Sequence, residues 1–222
     1  MVLLQYALIG SIYSLLAFIF IIINLLVFVT VSVNSEFHTN TYRIIKLMII
    51  GCLMCLIPHF LGGIMTITQS TLNYYVDRIF GTIIGSGWFL YQCAALTLAV
   101  DRALIFLNNL SYRTGFFIRC GFVFISFAMT VFYFVTFLCP GFGFTYASLY
   151  DWNYSDTEGS QQLEFLEKFI DFSILSLILL LYVIVFFRLM KVERLLSFKI
   201  KDVRSYFKTA SYVVLSQTFF GS

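Results

Sequence analysis

Residues 79–107, IFGTIIGSGWFLYQCAALTLAVDRALIFL, decide the fold. At about 1.5 Å of rise per residue they make a helix roughly 43 Å long, enough to cross the hydrocarbon of a bilayer and run on into an interface. No charge falls between Ile79 and Val100, and then Asp101 and Arg102 stand side by side. Ionisable residues are expensive at membrane depth, so this pair is a candidate functional site from the outset. The plainer reading is an interfacial anchor, with Arg102 snorkelling to the headgroups and Asp101 as its counter-ion. The sharper one is a bistable element: Asp101 holds the guanidinium while the helices are closed and releases it to a cytoplasmic partner when they part.

The rest of the chain is of the same kind. Its 222 residues are 60% hydrophobic, 19% aromatic and 11% charged, whereas about a quarter of a soluble domain is charged. This is the composition of a polytopic membrane protein. With two prolines and long uncharged runs that lack strand-like alternation, the fold class is all-α, a transmembrane helix bundle and not a barrel. The net charge of +3 is small and its bases fall in particular loops, so they report membrane orientation and exclude nucleic acid as a partner. The five cysteines lie mostly in apolar runs, where they act as small buried side chains and imply no disulfide framework.

Upstream of residues 79–107, an uncharged run gives a first span at 4–33. It is too long for a signal-peptide core and has no basic segment before it. Asn24 sits inside this span and is expected to face protein, hydrogen-bonded to a neighbouring helix as a packing hub. The bases Arg43 and Lys46 precede a second span at 46–68, in which Pro58 predicts a kink near Met54. Cys52, Cys55 and His59 share one face of it, as metal ligands could. No second Cys or His cluster accompanies them, so a polar packing stripe is preferred and no metal or cofactor is expected. In the third span, at 79–107, Gly81 and Gly85 permit close approach of another helix, preferably within the chain. Trp88 lies about 21 Å along the helix from Arg102, in the opposite half of the bilayer, and marks a candidate ligand pocket.

Downstream, a fourth span at 119–140 ends at Pro140-Gly141-Phe142-Gly143. An acidic loop comes next, with Asp151, Asp156, Glu158, Glu164 and Glu167 against Lys168. The fifth span, 168–190, is the tightest, because its uncharged core covers only residues 172–187. After it, RLMKVERLLSFKIKDVRSYFK sets seven Lys or Arg residues against two acids. It reads as a cytosolic continuation of the fifth helix, a lipid-surface helix or a partner-binding element. Residues 209–222 turn apolar again but are too short to cross alone, so they read as the start of a sixth span in a truncated chain. The bases after the first, third and fifth spans place those connections in the cytosol and the amino terminus outside. Asn153-Tyr154-Ser155 is then an external glycosylation acceptor, and Asn109-Leu110-Ser111 faces the cytosol and stays bare.

No phosphate loop, paired histidine motif or intramembrane pair of carboxylates suggests catalysis, so an enzyme is not expected. HTNTYRII (38–45) and GWFLYQCAALTLAVDRALIFL (87–107) resemble segments of the nematode serpentine chemoreceptors, closest to classes xa and t, within the seven-span G-protein-coupled receptors. There a Tyr-Arg or Tyr-Lys opens span two and a Leu-Ala-x-x-Arg closes span three. Asn24-Leu25-Leu26-Val27 resembles the Asn-x-x-Val of span one in rhodopsin-like receptors, Asp101-Arg102 their acid-Arg switch, and Tyr182 the span-five tyrosine that meets that arginine in active receptors. The chain departs from the pattern in three places. Span two lacks the sodium-site aspartate, Asp77 stands where span three carries a disulfide cysteine, and Ala103 replaces an aromatic.

The resemblance implies a rhodopsin-like seven-helix architecture with about five complete spans and the start of a sixth present. It implies a plasma-membrane chemosensory receptor, in sensory cilia or elsewhere, that couples an external small-molecule or odorant ligand to a heterotrimeric G protein, with membrane lipids as its other partner. The alternative is a multi-span transporter, channel subunit or membrane scaffold in which Asp101 and Arg102 only anchor the helix, or a degenerate, non-signalling receptor fragment.

Overall fold

A computed structural model describes the backbone of residues 2–37, 39–107, 112–147 and 151–219. Five α-helices dominate: α1 (Val2–Val33), α2 (Asn40–Thr68), α3 (Tyr74–Leu107), α4 (Tyr112–Leu138) and α5 (Glu158–Phe219). Strands β1 (Phe144–Ala147) and β2 (Asp151–Tyr154) form an antiparallel hairpin between α4 and α5. All five helices contain stretches long and apolar enough to cross a membrane, and the bundle is all-α apart from that hairpin.

The α3 helix is the axis of the molecule, packed against α2, α4, α5 and β1. Of its most apolar stretch 61% is buried, against 11% for α1 and 6% for α5. The outer helices show large apolar side chains such as Leu26, Phe124, Val131, Phe172 and Leu179 on the surface. An apolar surface of that extent suits hydrocarbon and not water. The axis is thin enough to be surrounded because it crosses α2 at glycines: a Cβ on Gly87 would lie 2.6 Å from Cβ of Met54 and 3.2 Å from the Gly51 carbonyl. Gly81 and Gly85 also pack within the chain, the first against the backbone of Phe144 and the second against the ring of Phe137.

Helix ends reflect local chemistry. Gln69 adopts a left-handed conformation after α2 (φ 51°), donating its N–H to the Thr66 carbonyl while Ser70 donates to Met65, which closes the helix as a Schellman turn. The α5 helix begins at Glu158, ten residues before the expected start of the fifth span. Thr157 caps it, its hydroxyl accepting the Ser160 N–H. Over residues 209–219, where the start of a sixth span is expected, the backbone continues α5 as one helix. Neither proline nor glycine occurs between Ser160 and Phe219 to stop it. Residues 220–222 lie outside the described residues, as do His38 and Asn109.

The expected loop after Pro140 contains the β-hairpin, folded over the amino-terminal end of α3. Asp77 Oδ1 accepts the Tyr146 N–H at 2.8 Å, and Arg78 donates to the carbonyls of Cys139 and Phe142. The hydroxyl of Thr66 donates to Gly62 and so accepts from the Tyr146 phenol. Burial, helped by the charge of Asp151 and opposed by Thr66, raises that phenol above its ordinary pKa. Tyr146 and Trp152, paired across the strands, close a small core with Met65 and Ile84. All five cysteines are free thiols.

Candidate functional site

Two polar constellations sit in opposite halves of α3. At its carboxy-terminal end Asp101 is 0% exposed. Its carboxylate accepts a hydrogen bond from Thr41 Oγ1 at 2.7 Å and an ion-paired one from Arg119 at 3.0 Å. Thr41 lies in the first turn of α2 and Arg119 in the second turn of α4, so one buried carboxylate ties three helices together. The expectation that Asp101 holds Arg102 is corrected. Successive helical residues point about 100° apart and do not face each other, and Asp101 points inward while Arg102 is half-buried beside it.

Tyr182 is 43% exposed on α5, and no hydrogen bond joins it to Arg102 among the described residues. Asn24 is half-buried on α1 and donates to the Phe20 carbonyl at 2.9 Å. The expected bond to a neighbouring helix gives way to one within its own turn, which satisfies the amide without a partner helix.

The other constellation lies beneath the hairpin. Trp88, half exposed, donates its indole N–H to Asp171 Oδ2 at 3.0 Å. It lines a cavity of about 420 Å³ with Cys55, Leu56, His59, Ile84, Gly85, Phe144 and Glu167. Glu167 is only 7% exposed, and its Oε2 has no hydrogen-bond partner in the protein. One turn further along α5, Asp171 meets Trp88, while Gln92, one turn beyond Trp88 on α3, is also buried. His59 Nδ1 lies 2.7 Å from the Cys55 carbonyl. A carbonyl only accepts, so Nδ1 carries the proton. Cys55 in turn donates to the Ile84 carbonyl on α3, so the Cys55 thiol joins α2 to α3.

Sequence reasoning named Asp101 and Trp88 but missed their partners. Arg119 and the bases near it were read as topology signals, and Glu167 and Asp171 as loop and flank acids. One signal for the acids was available: their i, i+4 spacing puts both on one helical face, while Phe165 and Phe169 stand exposed on another. Asn153, on β2, is exposed opposite Thr145. No known protein-family profile matches this chain, and no curated protein matches it.

Proposed function

We propose that this protein is a chemosensory receptor of the G-protein-coupled type, in the plasma membrane with its amino terminus outside, that transmits binding of an external small molecule to a heterotrimeric G protein. The observation that carries the reading is the Asp101 lock. A fully buried carboxylate ties α2 and α4 to α3 at the level of Arg102, and a ligand-sized cavity lies in the other half of the same helix.

A rigid helix joining a cavity to an ionic lock is a two-state element that both sites can bias. Ligand beneath the hairpin shifts α3 against α2 and α5. Asp101 then loses Thr41 or Arg119, the inner ends of the helices separate, and Arg102 becomes available to the G protein. The sequence resemblance at residues 38–45 and 87–107 agrees with this assignment, and in this reading Tyr182 on α5 is the partner that Arg102 meets in the active state.

The test needs no ligand. In cells carrying a resonance-energy-transfer sensor of Gα release from Gβγ, Asp101→Asn, which weakens the lock, raises basal signalling per receptor at the surface. Arg102→Ala abolishes it at unchanged surface amount. A silent Asp101→Asn variant at normal surface density, or full signalling by Arg102→Ala, overturns the switch.

A further inference from the structure

The cavity beneath the hairpin carries a chemical preference of its own. Glu167 lines it, is more than nine-tenths buried, and leaves Oε2 without a protein partner. A carboxyl placed this way is ionised at low cost only where a counter-charge meets it, and otherwise holds its proton. His59, the one base in the lining, spends its Nδ1–H on the Cys55 carbonyl, and the nearby Lys and Arg side chains are engaged elsewhere. Lys168 turns outward to Glu164 at 2.6 Å, Arg78 is taken by the carbonyls of Cys139 and Phe142, and no Lys or Arg is among the residues that line the cavity.

The remaining walls define what can supply the charge. Leu56, Ile84 and Phe144 are apolar, and Trp88 is held by Asp171, whose negative charge lies close behind the indole. Aromatic faces attract cations, and a mostly apolar pocket of this size with a few placed polar groups suits a small organic molecule. An anion would meet the Glu167 carboxyl in the wall, with Asp171 behind Trp88. A bare metal ion would find one lining carboxylate and too few ligands, and no group of three metal-ligating side chains occurs among the described residues.

We infer that the cavity lined by Trp88, His59 and Glu167 binds a small organic ammonium ion, an amine with an apolar body, whose charged nitrogen pairs with Glu167. The body lies against Leu56, Ile84 and Phe144. This assigns a ligand class to the site on which the receptor reading rests, but the binding itself requires no G protein.

The chain has two tryptophans, so Trp152→Phe leaves Trp88 as the sole indole fluorophore. That protein, in lipid nanodiscs, is titrated with benzylammonium and with benzyl alcohol, a neutral molecule of similar shape. Benzylammonium is expected to change Trp88 emission with an affinity about ten- to a hundred-fold above that of the alcohol, as a charge-assisted hydrogen bond requires. Glu167→Gln removes this preference by weakening benzylammonium binding far more than alcohol binding. Equal affinities, tighter alcohol binding, or binding of neither compound to the Trp152→Phe protein overturns the inference even if the Glu167 variant fails to fold. Preferential ammonium binding in a protein that never activates a G protein overturns the receptor reading and leaves the ammonium site standing.

Discussion

Removing Arg119 and removing Asp101 are not equivalent perturbations of the same ion pair. The Arg119 side chain is 19% exposed and the Asp101 side chain 0%. In an Arg119→Met variant the carboxylate stays in the bundle with Thr41 as its remaining partner, and leaving a buried charge unpaired costs about 3–5 kcal/mol. In Asp101→Asn the amide still accepts from Thr41, while the arginine, already in reach of the interface, snorkels outward. That loss is about 1–2 kcal/mol, the scale of one hydrogen bond.

The decisive protein is the double variant. Once the buried charge is gone, removing Arg119 has little left to disrupt, so Arg119→Met with Asp101→Asn is more stable than Arg119→Met alone. At about 2–4 °C per kcal/mol for a chain of this size, the single Arg119 variant melts roughly 10 °C below the parent and the double variant recovers more than half of that. Melting is read with a thiol-reactive fluorophore that reports exposure of Cys93, 8% exposed in the folded protein. The parent carries Cys52→Ala, Cys55→Ala, Cys120→Ser and Cys139→Ser, since the first two thiols are half-buried and the last two exposed, so that Cys93 alone reports. A double variant no more stable than Arg119→Met refutes the idea that a desolvated carboxylate is what Arg119 neutralises.

Two glycines separate close packing from intrinsic helix preference. Gly87→Ala pushes α2 from α3 at Met54 and lowers the melting temperature, whereas Gly121, on α4, has nothing within 4 Å of an added Cβ. Gly121→Ala therefore leaves stability unchanged or raises it by up to about 1 kcal/mol; the same thiol assay orders the two. In cells that glycosylate secretory proteins, Asn153 on the exposed strand acquires a glycan, seen as a mobility shift that peptide N-glycosidase F removes and Asn153→Gln prevents. Absence of that shift in protein at the cell surface contradicts the orientation assigned from the basic loops.

How much of this was legible in the sequence depends on the range of the interactions. The spanning segments rest on local composition, and long uncharged runs reveal them directly. Asp101 was legible as a site because burying a charge is rare enough to be informative alone. Its partners were not: Thr41 and Arg119 lie 60 and 18 residues away, and nothing in either position distinguishes a lock from a loop charge until α2 and α4 are packed. The extended α5 misled for a related reason. Polar residues 158–167 suggested a loop, yet they form a capped helical entry whose inward face carries Glu167. The hairpin was hidden because Pro140 and Gly141 signal that α4 ends without signalling a strand, and the pairing of β1 with β2 depends on the Asp77 and Thr66 contacts that only the assembled helices provide.

Nearby, Asp77 and Arg78 fasten the hairpin and the turn before it to α3 by hydrogen bonds, with no disulfide among them. A covalent staple would make the hairpin inseparable from the helices except by reduction. Held instead by hydrogen bonds and the packing of Tyr146 and Trp152, its opening needs no reduction and depends on those contacts alone. Phe144 is both part of the hairpin and part of the cavity wall, so the lifetime of a bound molecule is tied to how often the hairpin lifts. Residence time becomes a property that single substitutions at Asp77 or Arg78 can tune, in oxidising and reducing surroundings alike.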